Sequence, residues 1–311
     1  MRLLLLAAAA AAAASDALAA AAPPPPPRRP RFVLTSFIDD FGFASASFNR
    51  AANATPPETR TPHLDALARD GVALARFHVH PFCSPSRASF LSGRLPVHVQ
   101  QTNAMPDVPG AGVPYNMTTL VEFLRAARVP LDAHVLGKFD MGAATVRHSP
   151  EGRGFNGSLV YLSHAVDYFT LSDYCGSGGA TPDCNCGDAF VDLWDNGAPG
   201  SALNGTAFAD DLFLARALAL IAAHDFSSGR TLYLHYNTHA THDPLQATEQ
   251  MLAPLNYTAD DESFCNASVA ASATGATFPG APTAPASYRC RRTFEALTQW
   301  VDSAFGKLRA A

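Results

Sequence analysis

The sequence is short of charge, and of basic charge above all. Only 16% of its 311 residues are Asp, Glu, Lys or Arg, and 22 basic side chains face 27 acidic ones, for a net charge of −5. With an isoelectric point near 6.1, it has no basic face to neutralise phosphates, which argues against a nucleic-acid partner. Cysteine is sparse, with six in all. No second paired set follows Cys184-Asn185-Cys186 at finger spacing, so a zinc reading of that pair is weak. No internal repeat is visible. Nor does the apolar run from Leu3 to Ala14 make a stable membrane span: it is too short, and Pro23 to Pro27 follow it.

What that run does make is a leader. Met1-Arg2 is a positive n-region, Leu3 to Ala14 an apolar h-region, and Ala17-Leu18-Ala19 a small-residue cleavage site. Residues 1–19 therefore read as a signal peptide and 20–30 as a Pro-rich linker, which sends the chain through the secretory pathway to the extracellular space or a lysosomal or vacuolar lumen. Six Asn-x-Ser/Thr sequons agree with that compartment, at Asn53, Asn116, Asn156, Asn204, Asn256 and Asn266. Such sites belong on the surface. With Cys83 set apart by its surroundings, five cysteines remain, an odd number for an oxidising lumen. Cys175 with Cys186 would close a Gly-rich loop and Cys265 with Cys290 could close an Ala/Pro-rich one, leaving Cys184 over.

The remaining length of about 280 residues suits one large α/β domain. Phe32 to Ile38 is a near-continuous β-prone run ending in Asp39-Asp40, which places two carboxylates at the carboxyl end of a buried parallel strand, where ligands bind in open α/β sheets. Thr61-Pro62 opens a helix that Gly71 follows, with Leu64, Leu67 and Ala68 as its buried face. A helix from Ser86 to Leu91 puts Cys83 at a helix N-terminus, which favours an anion. Thr119 with Glu122 reads as a capping box. A strand over Ala133 to Leu136 delivers Gly137-Lys138; a helix from about Ala207 to Ala223 leads to a strand over Leu232 to Tyr236, which delivers His239 and His242. His78 and His80 would share a face of a strand, as packing or pocket-wall residues. Residues 251 to 287 read as a surface insertion, and Phe294 to Leu308 as the last helix.

Cys83-Ser84-Pro85-Ser86-Arg87, continued by Ala88-Ser89-Phe90-Leu91-Ser92-Gly93-Arg94, resembles the signature of the type I sulfatases. The resemblance continues through Asp39-Asp40-Phe41-Gly42, the run from Thr61 to Ala68, Gly137-Lys138, Gly152-Arg153-Gly154-Phe155 and His242-Asp243-Pro244-Leu245-Gln246. Order and approximate spacing agree from Phe32 to about Ala310. Within the family the chain looks most like the arylsulfatase B group, the N-acetylgalactosamine-4-sulfatases. Tyr233-Leu234 ahead of His242 and the Cys175 to Cys186 loop carry that likeness.

The resemblance implies an alkaline phosphatase-like α/β sandwich, a central mostly parallel sheet flanked by helices. Residues 31–311 would be its N-terminal catalytic domain, ending before the C-terminal portion. It implies hydrolysis of a sulfate ester, either an aryl sulfate or a sulfated sugar. Cys83 would be converted by a formylglycine-generating enzyme to Cα-formylglycine, whose hydrate attacks sulfur with one oxygen and expels sulfate with the other. Asp39, Asp40 and residue 83 would ligate Ca²⁺, Arg87 would stabilise the hydrate, and Lys138 and His242 would bind sulfate, His242 also assisting the leaving group. Fixed cations aimed at oxygens that gain charge lower such a barrier.

Two departures stand against the likeness. The family has a histidine two residues after the lysine; here that position is Asp140, a carboxylate that would repel sulfate or join the metal shell. The chain also stops before the Asp-Asn pair and second lysine that complete the family's site, while calcium takes roughly six to eight oxygens. The alternatives are a non-catalytic secreted binder of sulfated glycans and another hydrolase of the alkaline phosphatase superfamily.

Overall fold

The computed structural model describes residues 30–50, 60–99, 112–172, 191–255 and 290–311. The leader, residues 20–29 of the linker, Asn53, Asn256, Asn266, Cys175, Cys184, Cys186, Cys265 and most of the 251–287 insertion lie outside the described residues.

Among the described residues six strands, β1 (Phe32–Ile38), β2 (Leu131–Lys138), β3 (Gly157–Tyr161), β4 (Trp194–Asp195), β5 (Ala198–Pro199) and β6 (Thr231–Thr238), form one sheet in the order β1-β6-β2-β3-β4-β5. The first four in that order are parallel, and β4 and β5 continue it antiparallel. β6 is buried along its whole length, which explains its run Thr-Leu-Tyr-Leu-His-Tyr-Asn-Thr: a central parallel strand has no solvent face to make polar.

The longer helices among the described residues are α1 (Pro62–Asp70), α2 (Cys83–Ser92), α3 (Leu120–Ala126), α4 (Ala209–Ala223) and α5 (Cys290–Ala310). Two apolar clusters follow from strand alternation. Leu232, Leu234 and Tyr236 join α4 and α5 in one cluster, while Tyr233 joins α2, Ala133 and Val135 in the other. α5 turns Leu297, Val301, Ala304 and Leu308 into the first cluster at helical spacing.

The strand over Phe32–Ile38 has the expected bounds, and the Thr119–Glu122 capping box is present. β2, β6 and α5 extend beyond the expected ranges. Two local expectations are corrected. Leu67 on α1 is exposed, and no residue of α1 is buried. The helix is held instead at its N-terminus, where Asp302 of α5 accepts the His63 and Leu64 N–H groups at 3.2 and 2.8 Å. His78 and His80 lie on no strand; His80 instead lines the cavity beside Cys83.

His235 on β6 gives the core a pH dependence. It is buried, with Nδ1 2.9 Å from Thr35 Oγ1 and its ring stacked on Phe90. Burial first, and then the Arg87 charge, push its pKa down to about 3, so it folds neutral. The unfolded imidazole titrates near ~6.5. Below that pH the unfolded chain binds the extra proton, so the stabilisation is complete above it and falls as pH drops towards 3. Denaturant unfolding should therefore show wild type losing about 2 kcal/mol more than His235→Gln between pH ~6.5 and ~5. Parallel pH slopes for the two proteins would contradict this.

Candidate active site

Every one of the four parallel strands delivers a polar group to the same carboxyl edge of the sheet. Asp39 and Asp40 follow β1, Lys138 ends β2, His164 lies three residues beyond β3, and His239 to His242 follow β6. A buried interior strand cannot hold a charge midway, so the charges collect where the strands end.

Cys83 is the first residue of α2. Pro85 is tolerated in that first turn because its missing N–H would have no intrahelical acceptor there. Gly93 stops the helix in the left-handed region at φ 66°, its N–H donating to Ser89 O. The helix buries Arg87, whose guanidinium donates to Asp39 Oδ1 at 3.2 Å and to the Lys138 carbonyl at 2.8 Å, and lies over the Phe37 ring at 5.4 Å.

Asp39 is thus the hub. Lys138 Nζ donates to its Oδ2 at 2.6 Å. Burial alone would raise the Asp39 carboxyl, but Lys138, then Arg87 and His242, outweigh it and hold the group well below the usual carboxylate range. Burial would likewise lower the Lys138 ammonium, yet Asp39 and then Asp140 keep it above its ordinary value. The Cys83 thiol is pushed up to about 11, by burial first and then by the Asp39 charge. A thiol so raised is not a thiolate at neutral pH. The residues from Phe37 to Gly42, with His80, Phe82, Cys83 and Arg87, line an open cavity of about 420 Å³.

Asp39, Cys83 and His242 bring one ligand atom each within 4.8 Å of one another. Asp40 stands apart: at φ 48° and with its side chain 56% exposed, it groups with His242 and Asp243. Its Oδ2 lies 3.5 Å from His242 Nε2. His239 belongs to neither group. It is buried between Tyr168 and Tyr161, its ring 5.6 Å from that of His242. Asp140 also lies outside both groups.

Three supporting residues carried no long-range signal in the sequence. Asp210, in the first turn of α4, accepts the His239 and Ala240 N–H groups at 2.9 and 3.0 Å and so shapes the loop to His242. Asn237 donates to the Lys138 carbonyl at 3.0 Å and accepts the Phe37 N–H, tying β1, β2 and β6 together. His164 Nδ1 lies 2.9 Å from Asp140 Oδ1. Of the expected glycosylation sites within the described residues, Asn116 and Asn156 are exposed and Asn204 is half-buried.

The Sulfatase family model matches residues 31–308. Mouse arylsulfatase J is 30% identical over 211 residues, covering 67% of this chain and 32% of the relative. Human arylsulfatase A is 30% identical over 234 residues, covering 70% and 42%. Mouse N-acetylgalactosamine-6-sulfatase is 26% identical, covering 72% and 42%. The chain thus spans well under half the length of these relatives. Among solved structures, Ps i-CgsB aligns over 91% of this chain and 54% of its own with a TM-score of 0.64 at 24% identity. BT4656, solved with its substrate D-glucosamine-2-N,6-O-disulfate, aligns over 91% and 62% with a TM-score of 0.61 at 13% identity.

Proposed function

This chain belongs to the sulfatase family, and on that premise we propose that it carries the formylglycine half of a sulfatase site that cleaves an aryl sulfate or sulfated sugar. Its fold is the alkaline phosphatase-like α/β sandwich of its structural neighbours. The observation that carries the reading is the convergence of Asp39, Cys83, Arg87, Lys138 and His242 at one sheet edge, beside an open cavity.

The raised thiol at Cys83 favours the same reading over a thiolate hydrolase. As a cysteine, residue 83 is a poor nucleophile and a poor metal ligand at neutral pH. Converted to formylglycine, it supplies a hydrated aldehyde with two oxygens, one to attack and one to help release sulfate. Arg87 and Lys138 then hold positive charge against the developing negative charge. His242, held by its own Asp243 carbonyl at 2.6 Å through Nδ1, presents Nε2 towards the site. Arylsulfatase or sugar sulfatase is a choice made by loops; the sugar disulfate of BT4656 supports the sugar.

Calcium fits part of this donor set. Asp39 offers a hard carboxylate oxygen beside residue 83, which adds a further oxygen once converted, whereas Asp40 groups with His242 and Asp243 and would have to turn inward to join them; the His242 nitrogen is a poor calcium ligand and belongs to the substrate side. Bound there, the ion would act as a Lewis acid on the ester. These residues fall short of the roughly six to eight oxygens calcium takes, so other groups must complete the shell. The leader, the sequons and the absence, among the described residues, of any helix able to cross a membrane support a secreted or lysosomal lumenal protein matured by a formylglycine-generating enzyme. Residues 31–311 serve as its N-terminal catalytic domain.

The deciding test is turnover of 4-methylumbelliferyl sulfate by the full protein from a eukaryotic secretory host, with mass spectrometry of the peptide holding residue 83. Sulfate release with a formylglycine peptide supports the reading; an unmodified cysteine with no turnover sinks it. Removing calcium with EGTA should slow turnover by about 100-fold, with recovery on adding calcium back, the scale of losing several kcal/mol of charge stabilisation. Unchanged turnover in EGTA would remove the metal from the mechanism.

A further inference from the structure

We infer that a second cavity, walled by β3, β4 and the short turn that carries Glu151, binds a small organic ammonium, a primary amine on an apolar ring or chain. It shares no lining residue with the cavity beside Cys83, so the inference does not depend on the sulfatase reading.

The cavity holds about 470 Å³, a volume suited to a small molecule, and most of its wall is apolar. Ala143, Val146, Pro150, Leu162 and Trp194 supply that wall. The indole is fixed in place, because its Nε1–H donates to Asp192 Oδ1 at 2.9 Å.

Two carboxylates line the cavity, and one of them is fully engaged. Asp192 spends its second oxygen on the Leu162 and Ser163 N–H groups, at 2.9 and 2.7 Å. Glu151 is different. Its Oε1 accepts Ser158 Oγ–H at 2.6 Å, but its Oε2 is buried without a hydrogen bond, and no basic side chain among the described residues pairs with it. Space adjoins that oxygen. Gly197 also lines the cavity, and a Cβ built on it would stand 3.5 Å from Glu151 Oε2, meeting nothing but that carboxylate within 4 Å outside the adjoining residues. Gly197 sits at φ 78°, where a side chain is disfavoured, so the space stays open.

A carboxylate shielded from water is costly unless a cation or hydrogen-bond donors face it. An ammonium supplies both in one charge-assisted bond, and an indole ring favours a cation near it. An anion, sulfate included, meets repulsion here. The apolar wall then takes the body of the ligand out of water.

The test is calorimetry of 2-phenylethylammonium against the full protein at neutral pH, with 2-phenylethanol and 3-phenylpropionate as its neutral and anionic counterparts. The ammonium should bind one to one with a Kd of roughly 0.1 to 1 mM, the range for so small a ligand. Phenylethanol should bind about 10-fold more weakly and phenylpropionate not measurably. Glu151→Gln should weaken the ammonium by about 10-fold and remove its advantage over the alcohol, which a loss of packing alone would not do. Ala143→Leu, which narrows the cavity and keeps Glu151, should weaken amine and alcohol alike. Unfolding midpoints of both variants are measured alongside. No binding of the ammonium by wild type, equal affinity for amine and alcohol, or full affinity in a folded Glu151→Gln protein overturns the inference. Should Glu151→Gln fail to fold, full affinity in Ala143→Leu overturns it instead. Loss of binding on Asp40→Asn, with Glu151→Gln unaffected, would put the amine in the cavity beside Cys83 and overturn it as well.

Discussion

Cys83→Ala should abolish aryl sulfate turnover, by about 10⁴-fold or more, while leaving the unfolding midpoint where it was. The two halves of that expectation have different causes. Cys83 is the first residue of α2 and only half-buried, and its thiol anchors none of the charges around it, since Asp39, Lys138 and Arg87 bond to one another. Alanine at a helix start keeps the backbone as it is. On the proposed reading what is lost is the nucleophile, and the two neighbouring serines are engaged elsewhere: Ser84 Oγ is committed to Asp140 at 2.5 Å, and Ser86 Oγ–H donates to the His80 and Phe82 carbonyls. Serine at position 83 should behave as alanine does, because a hydroxyl supplies one oxygen where the hydrated aldehyde supplies two. Substantial turnover by either variant would refute covalent catalysis at this residue.

Gly137→Ala should cost roughly 3 to 5 kcal/mol, combining a left-handed backbone penalty with severe overpacking. Gly137 sits at φ 84° opposite Asn237 in the β2–β6 ladder, and a Cβ there would lie 1.7 Å from the Asn237 carbonyl oxygen. Backbone cannot step aside as a side chain can. The two strands would be forced apart immediately before Lys138 and at the asparagine that holds the Lys138 carbonyl, so the site should suffer with the fold. A fall of about 10 °C in the unfolding midpoint is expected for a domain of this size, with low secretion yield. A midpoint within about 2 °C of wild type would show that β2 and β6 are less tightly apposed than described.

Much of the site was legible because its signals are local. Asp39-Asp40 close the β-prone run of β1 and Lys138 ends β2, while Cys83 opens α2; β1 itself is half-buried rather than buried as its sequence suggested, because it is the edge strand of the described sheet. The helix boundaries were legible for the same reason, since Thr61-Pro62, Gly71, and Thr119 with Glu122 act within one turn. Leu67 shows the limit. Its spacing marks a buried face, but α1 is held by Asp302, a residue 235 positions further along, and leaves Leu67 exposed with Leu64 and Ala68 only half-buried.

The sequence by itself determined which side chains could do the chemistry and the order in which strands present them. The tertiary structure alone decided their pairing. Asp39 and Asp40 are neighbours in the chain, yet one is buried between Lys138 and Arg87 while the other turns to solvent beside His242. Asp140 was a mismatch until the fold set it against Ser84 and His164. The physical reason is common to both cases: a carboxylate's role depends on which donors surround it, and those donors come from strands and helices far apart in sequence.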